Sequence, residues 1–166
     1  MTNPLENMQQ LIINEFSKTI EMFDVSPSEA RLFSILYIED SPMTLDDMSE
    51  TLGKSKTAVS TGIRNLLELN LVERVWKKGV RKDLYTTDSN LYRKFMSTYI
   101  HKWIDHTSSQ EQSLDDVEKI LVEESKSDNL PTNDTLQLEK KLAEIISFND
   151  RIKRTFQAIK PDPRRI

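Results

Sequence analysis

The sequence predicts a mainly α fold with a minor β component, a run of helices interrupted once by a two-stranded hairpin. Three observations carry this. Apolar residues recur at spacings of three and four along most of the chain, the signature of amphipathic helices. Glycine is scarce, 3 of 166 residues, while Leu, Ile, Glu and Lys abound, a helix-forming composition. The period shifts to a partial alternation in one place only, across residues 71–86. The length suits one domain of ordinary size, or one small domain with helical extensions.

Residues 5–22 read as a first helix, with Leu5, Met8, Leu11, Ile12, Phe16, Ile20 and Phe23 as its stripe. Ser26-Pro27 breaks it and opens a second helix, because Ser suits the N-cap and Pro the first turn. Ala30, Phe33, Ile35, Leu36 and Ile38 follow, until Asp40-Ser41-Pro42 ends the run. Thr44 with Asp47 three residues on forms a capping box, with Asp in place of Glu, for a short third helix ended by Gly53. Ser55 or its neighbour caps a fourth helix over 55–69, with Val59, Ile63, Leu66 and Leu67 inward. Residues 71–76 and 83–86 pair as a hairpin around the basic turn Lys77 to Lys82. A long helix starts at Asp88, with a candidate bend or break at Thr107-Ser108-Ser109. Residues 126–134 read as a loop, 135–158 as a last helix, and Pro161 and Pro163 lead into a short basic tail. A short helix, a Gly turn, a second helix and a basic hairpin is the outline of a winged helix-turn-helix. The expected organisation is an N-terminal helix over 1–25, a winged helix-turn-helix domain over 26–88, and a helical dimerisation and effector-linked region over 89–166.

Composition excludes much chemistry. Without cysteine there is no disulfide, thiol nucleophile or Cys-ligated metal. His101 and His106 are five apart, which one turn of helix does not align, so neither a metal nor another cofactor is expected. The adjacent carboxylate pairs Asp46-Asp47, Asp115-Asp116 and Glu123-Glu124 diverge by about 100° on a helix and form no catalytic dyad. No nucleophile elbow, phosphate loop or dinucleotide turn is present, so the chain does not read as an enzyme. The longest apolar run falls short of the roughly 18 residues of a membrane span. Glu6, Glu15 and Lys18 interrupt the N-terminal apolar pattern, unlike a signal peptide, so the expected location is cytoplasmic.

The net charge of −4 at first counts against a nucleic-acid partner. Its distribution reverses that. Residues 54–82 hold eight basic and two acidic side chains, a net +6, which leaves −10 for the rest of the chain. On the fourth helix the face opposite Val59, Ile63 and Leu66 shows Lys56, Thr57, Ser60, Thr61 and Arg64. Such a face fits the major groove, where Lys56 and Arg64 are the candidate guanine readers. Ser55 and Lys56 at the helix start are placed to meet a phosphate. Lys77, Lys78, Arg81 and Lys82 on the hairpin are placed to reach neighbouring backbone or minor groove. The expected partner is double-stranded operator DNA. A winged helix that binds only another protein is the alternative, and a net +6 on one module argues against it.

At these residues a resemblance is evident. Met43-Thr44-Leu45-Asp46-Asp47-Met48, Gly53-Lys54-Ser55-Lys56, Val59-Ser60-Thr61-Gly62-Ile63-Arg64, Trp76-Lys77-Lys78-Gly79 and Arg81-Lys82-Asp83 resemble the GbsR family, within the wider MarR-like winged-helix repressors. The likeness is strong over 30–90 and architectural over the acidic C-terminal half. It implies a homodimeric repressor that binds a near-palindromic operator. In that family the target genes serve choline uptake or glycine betaine synthesis and import, with choline as the inducer that releases DNA. Other solute transporters are regulated as well.

Spacing points independently to self-association. Leu138, Leu142, Ile145, Asn149, Ile152, Phe156 and Ile159 repeat at 4-3-4-3-4-3, a heptad seam with one polar position. It packs either on a second copy or on its own chain's core, and the surplus of apolar helix face favours the copy. The Tyr and Trp residues are Tyr37, Trp76, Tyr85, Tyr92, Tyr99 and Trp103. Given the resemblance, they are candidates for an aromatic cage, since a quaternary ammonium has no N–H and is held by ring faces. The other reading is that they are hinge and core aromatics with satisfied polar tips.

Overall fold

The structure, a computed structural model, describes residues 3–126 and 132–159. In order it contains α1 (Pro4–Glu21), α2 (Pro27–Glu39), α3 (Leu45–Leu52), α4 (Lys56–Glu68), β1 (Val72–Val75), β2 (Leu84–Thr87), α5 (Leu91–Lys126) and α6 (Thr132–Ala158). The chain divides into two compact units, Met1–Thr98 and Tyr99–Ile166. The expected mainly α architecture with a two-stranded wing is the one observed. The basic tail lies outside the described residues, and so does most of the expected loop at 126–134.

Local chemistry explains the boundaries of the first unit. Ser26 accepts from the Glu29 N–H while the Glu29 carboxylate accepts from the Ser26 N–H, a complete capping box at α2. Thr44 and Asp47 do the same at α3. Gly53 sits at φ +63°, and the Lys54 and Gly53 N–H groups close on the Ser49 and Glu50 carbonyls, each at 3.2 Å. That turn fixes where α4 begins. Asn70 fills the same left-handed position after α4, at φ +56°, with the Leu71 N–H on the Leu66 carbonyl at 2.9 Å.

The core of this unit is organised by α2, whose Ala30, Leu32, Phe33, Ser34, Ile35 and Leu36 are all buried. The Phe33 ring meets Phe95 edge-on at 5.0 Å, and Phe16 and Tyr37 at 6.2 and 6.4 Å. Phe95 also meets Phe23 at 5.0 Å, so one aromatic cluster ties α1, α2 and the start of α5. Where α1 crosses α2, the Ser17 hydroxyl donates to the Ile13 carbonyl and lies 3.1 Å from the Ser34 hydroxyl, which donates to the Ala30 carbonyl. Two buried hydroxyls are thereby satisfied without a long side chain between the helices. α4 approaches α2 through Gly62, where a Cβ would come within 3.1 Å of Leu32.

The wing is antiparallel, pairing Val72 with Thr87 and Val75 with Leu84. Met43 adds a single bridge, exchanging two 2.9 Å hydrogen bonds with Tyr85. One paired residue has no periodicity, so the sequence pattern could not announce it.

In the second unit α6 lies antiparallel along α5. α5 starts at Leu91, because Asn90 accepts from the Arg93 N–H and is itself held by Asp88. The helix is not broken at Thr107-Ser108-Ser109, since α5 is continuous through them. The Thr107 hydroxyl donates to the Trp103 and Ile104 carbonyls at 2.7 and 3.1 Å, which satisfies this buried polar group within the helix. Trp103 stacks on Phe156 with ring centres 5.0 Å apart and planes within 3°. The Asn149 carboxamide donates to the Thr107 carbonyl at 2.9 Å, and Lys153 pairs with Glu111.

Phe33→Ala removes the hub of the aromatic cluster. It should cost about 3–5 kcal/mol of unfolding free energy, read as a lower midpoint in urea denaturation.

Candidate nucleic-acid interface

The candidate surface is built from α3, α4 and the wing. Ser55 caps α4 by accepting from the Ala58 N–H at 3.2 Å, so its hydroxyl is committed to the helix start. Val59, Ile63 and Leu66 are buried beneath the helix, as their spacing predicts. Lys56, Thr57, Thr61 and Arg64 are exposed and Ser60 is half-buried. The Thr61 hydroxyl donates to the Thr57 carbonyl at 3.1 Å, which leaves its oxygen free to accept. Asn65 turns the other way, donating to the Glu29 carboxylate at 2.6 Å and locking α4 to α2. Burial pushes the Glu29 carboxyl up, but the hydrogen bonds from Asn65 and Ser26 outweigh it and hold it below its ordinary value.

The wing presents Lys77, Lys78 and Arg81 around a turn closed by the Val80 N–H on the Lys77 carbonyl at 3.1 Å, with Gly79 at φ +86°. All three cations are exposed, and none has a carboxylate within ion-pair reach among the described residues. The same holds for Arg64 on α4. Arg74, by contrast, is held within the hairpin, 3.5 Å from Asp83 and over the Tyr85 ring at 5.7 Å.

One residue that sequence reasoning passed over organises this surface. Asp46, in the first turn of α3, takes Lys56 of α4 at 2.8 Å on one carboxylate oxygen and Lys82 of the wing at 2.7 Å on the other. The N-terminus of α4 and the wing therefore meet at one carboxylate. The hydrogen bond from Lys56, then that from Lys82, lowers the Asp46 carboxyl to about 2. Lys82 is pushed up in turn by the bond to Asp46. In the sequence Asp46 reads as half of an adjacent acidic pair and as part of the Met43–Met48 motif, with no sign of its ion pairs. No spacing rule links it to a lysine 36 residues away.

The aromatic candidates separate. Tyr37 packs against Phe16 and Phe33 in the core of the first unit. Tyr85 is buried on β2, with Arg74 on its ring, whereas Trp76 and Tyr92 are exposed. Tyr99 and Trp103 come together in the second unit at 6.3 Å, and both also meet Phe156. Phe156 carried no effector signal, since its spacing fitted the heptad stripe. Of that stripe, Leu142 is buried and Asn149, Ile152 and Phe156 are half-buried, while Leu138 and Ile145 remain exposed.

The Asp46 pair makes a pH prediction. A folded value of about 2 against an ordinary 3.8 means that its stabilising effect is complete above 3.8 and is lost as pH falls toward 2. NMR titration of the Asp46 carboxyl should give a midpoint near 2 that rises in Lys56→Ala and in Lys82→Ala.

No family model matches the chain. It is 27% identical to the HTH-type transcriptional repressor GbsR of Bacillus subtilis (strain 168) over 159 residues, 93% of this chain and 87% of that protein. It is 33% identical to the HTH-type transcriptional repressor OpcR of the same organism over 99 residues, 60% of this chain and 54% of that one. Among solved structures, the crystal structure of a transcriptional regulator superposes with a TM-score of 0.53 at 16% identity, covering 90% of this chain and 98% of the other, a likeness of fold. The chain is thus similar to the repressor GbsR along nearly its whole length, and its winged helix-turn-helix fold is like that of a solved transcriptional regulator.

Proposed function

We propose that the chain is a DNA-binding transcriptional repressor, regulatory rather than enzymatic, that lays α4 in the major groove and sets the wing on the flanking backbone. The observation that carries this is the shared Asp46 carboxylate. It holds a cation of α4 and a cation of the wing at one point, so the two form a continuous basic surface. Around it Arg64, Lys77, Lys78 and Arg81 are exposed and unpaired among the described residues, the state in which cations can take phosphates or guanines.

The working form in this reading is a homodimer, as a two-fold operator requires. Support comes from apolar side chains left in solvent. Leu5, Met8, Leu11 and Ile12 are exposed on α1, and so are Val117 and Ile120 on α5 and Leu138 and Ile145 on α6. A monomer has no use for such faces. Asn149 is satisfied within its own chain, so register at the dimer is set by the apolar positions.

The finer reading rests on the resemblance to GbsR: control of choline and glycine betaine uptake or synthesis genes, with a quaternary ammonium as the releasing ligand. The side chains that support a ligand of this kind are Tyr99 and Trp103 beside Phe156, where ring faces and edges gather in the second unit.

Three measurements test these proposals. Affinity for a duplex from the protein's own promoter should fall linearly in log Kd against log salt. Arg64→Ala should weaken binding, and footprint protection should be lost on adding choline. Failure of every duplex to bind at low salt overturns the DNA reading, and protection that choline leaves unchanged overturns the effector. Sedimentation of the full chain should show a dimer that Leu138→Glu combined with Ile145→Glu converts to monomer. A monomeric parent at micromolar concentration overturns the dimer.

A further inference from the structure

Trp76 follows directly on β1, where the wing enters its basic turn, and the residue is 81% exposed. It is the most exposed large hydrophobic residue among those described. An indole left in water forgoes the stabilisation that burying one of the largest apolar side chains would bring. Nothing in the hairpin covers it. It makes no ring contact among the described residues.

Its electrostatic surroundings select among occupants. Lys77 and Lys78 follow it directly, and Arg81 stands across the turn, all three exposed without carboxylate partners among the described residues. A cationic ligand or a basic peptide is repelled from a ring in that position. A polyanion with apolar edges is attracted, and the deoxyribose and base edges of a DNA groove have that composition. We infer that Trp76 is a DNA-contact residue of the wing, packing its indole on the sugar edge of the minor groove while Lys77 and Lys78 take the adjoining phosphates.

This rests on the DNA-binding reading, and it adds a signature of its own. A phosphate contact releases a counterion, so losing one lowers the salt slope by about 0.9. An apolar contact releases none. Trp76→Ala should therefore weaken binding on the order of tenfold with the slope unchanged, whereas Lys77→Ala should weaken it and flatten the slope by about 0.9. Trp76→Phe should recover part of the loss. The full-length chain would be titrated into two fluorescently labelled duplexes, one of mixed sequence and one from its own promoter, at several salt concentrations. Indole emission should change on adding unlabelled duplex to the parent chain, and that change should vanish in Trp76→Ala, which retains Trp103. If the parent binds neither duplex, the DNA reading itself fails. If the parent binds and Trp76→Ala binds with equal affinity, only the inference about Trp76 falls. A loss accompanied by a slope lowered by about 0.9 also overturns it, because the substitution then acts through the neighbouring lysines.

Discussion

The first unit depends on what surrounds Phe33. One ring, at the middle of a helix buried on most sides, is the meeting point of side chains from α1, α2 and α5. With α2 held there, α4 has a fixed support. It approaches through Gly62 against Leu32, and Asn65 fastens it to Glu29. The proposed recognition face is then whatever α4 cannot bury. Its polar character follows from the packing, because Val59, Ile63 and Leu66 consume the inner side. Rigidity of the support matters for groove recognition, where hydrogen-bond geometry at base edges tolerates little displacement.

Electrostatics then divides the labour within the interface. Lys56 and Lys82 are committed to Asp46, and Arg74 to Asp83 and the Tyr85 face. Exposed pairs of this kind contribute little to stability. Their consequence is placement, since they hold α3, α4 and the wing in one register. Among the described residues, the cations left over include Arg64 and those around Gly79. A surface with two classes of cation, one structural and one available, is not visible in a charge count. The −4 of the whole chain and the +6 of residues 54–82 are both correct and describe neither class.

The second unit shows how far spacing can be read. The 4-3 repeat from Leu138 to Ile159 describes one side of α6, and the helix is there. Its partner is a separate matter. Asn149 finds the Thr107 carbonyl, Phe156 finds Trp103 and Lys153 finds Glu111, all on α5 of the same chain. Leu138 and Ile145 stay exposed on the same repeat. A heptad stripe is wide enough to serve two neighbours, one within the chain and one beyond it, and the pattern alone does not rank them.

Determined by sequence alone were the helices, the caps of α2, α3 and α4, the hairpin and the burial of Val59, Ile63 and Leu66. These rest on local rules of period, capping hydrogen bonds and left-handed turns at residues such as Gly53, all within a few positions of one another. The segregation of base from acid was equally legible, because charge is additive along a chain. Tertiary structure alone decided which charges neutralise one another and which rings meet. Asp46 with Lys82, Trp103 with Phe156 and Met43 with Tyr85 join positions 36 to 53 residues apart. Contacts at such separations depend on how whole helices are packed, and no local period encodes that packing.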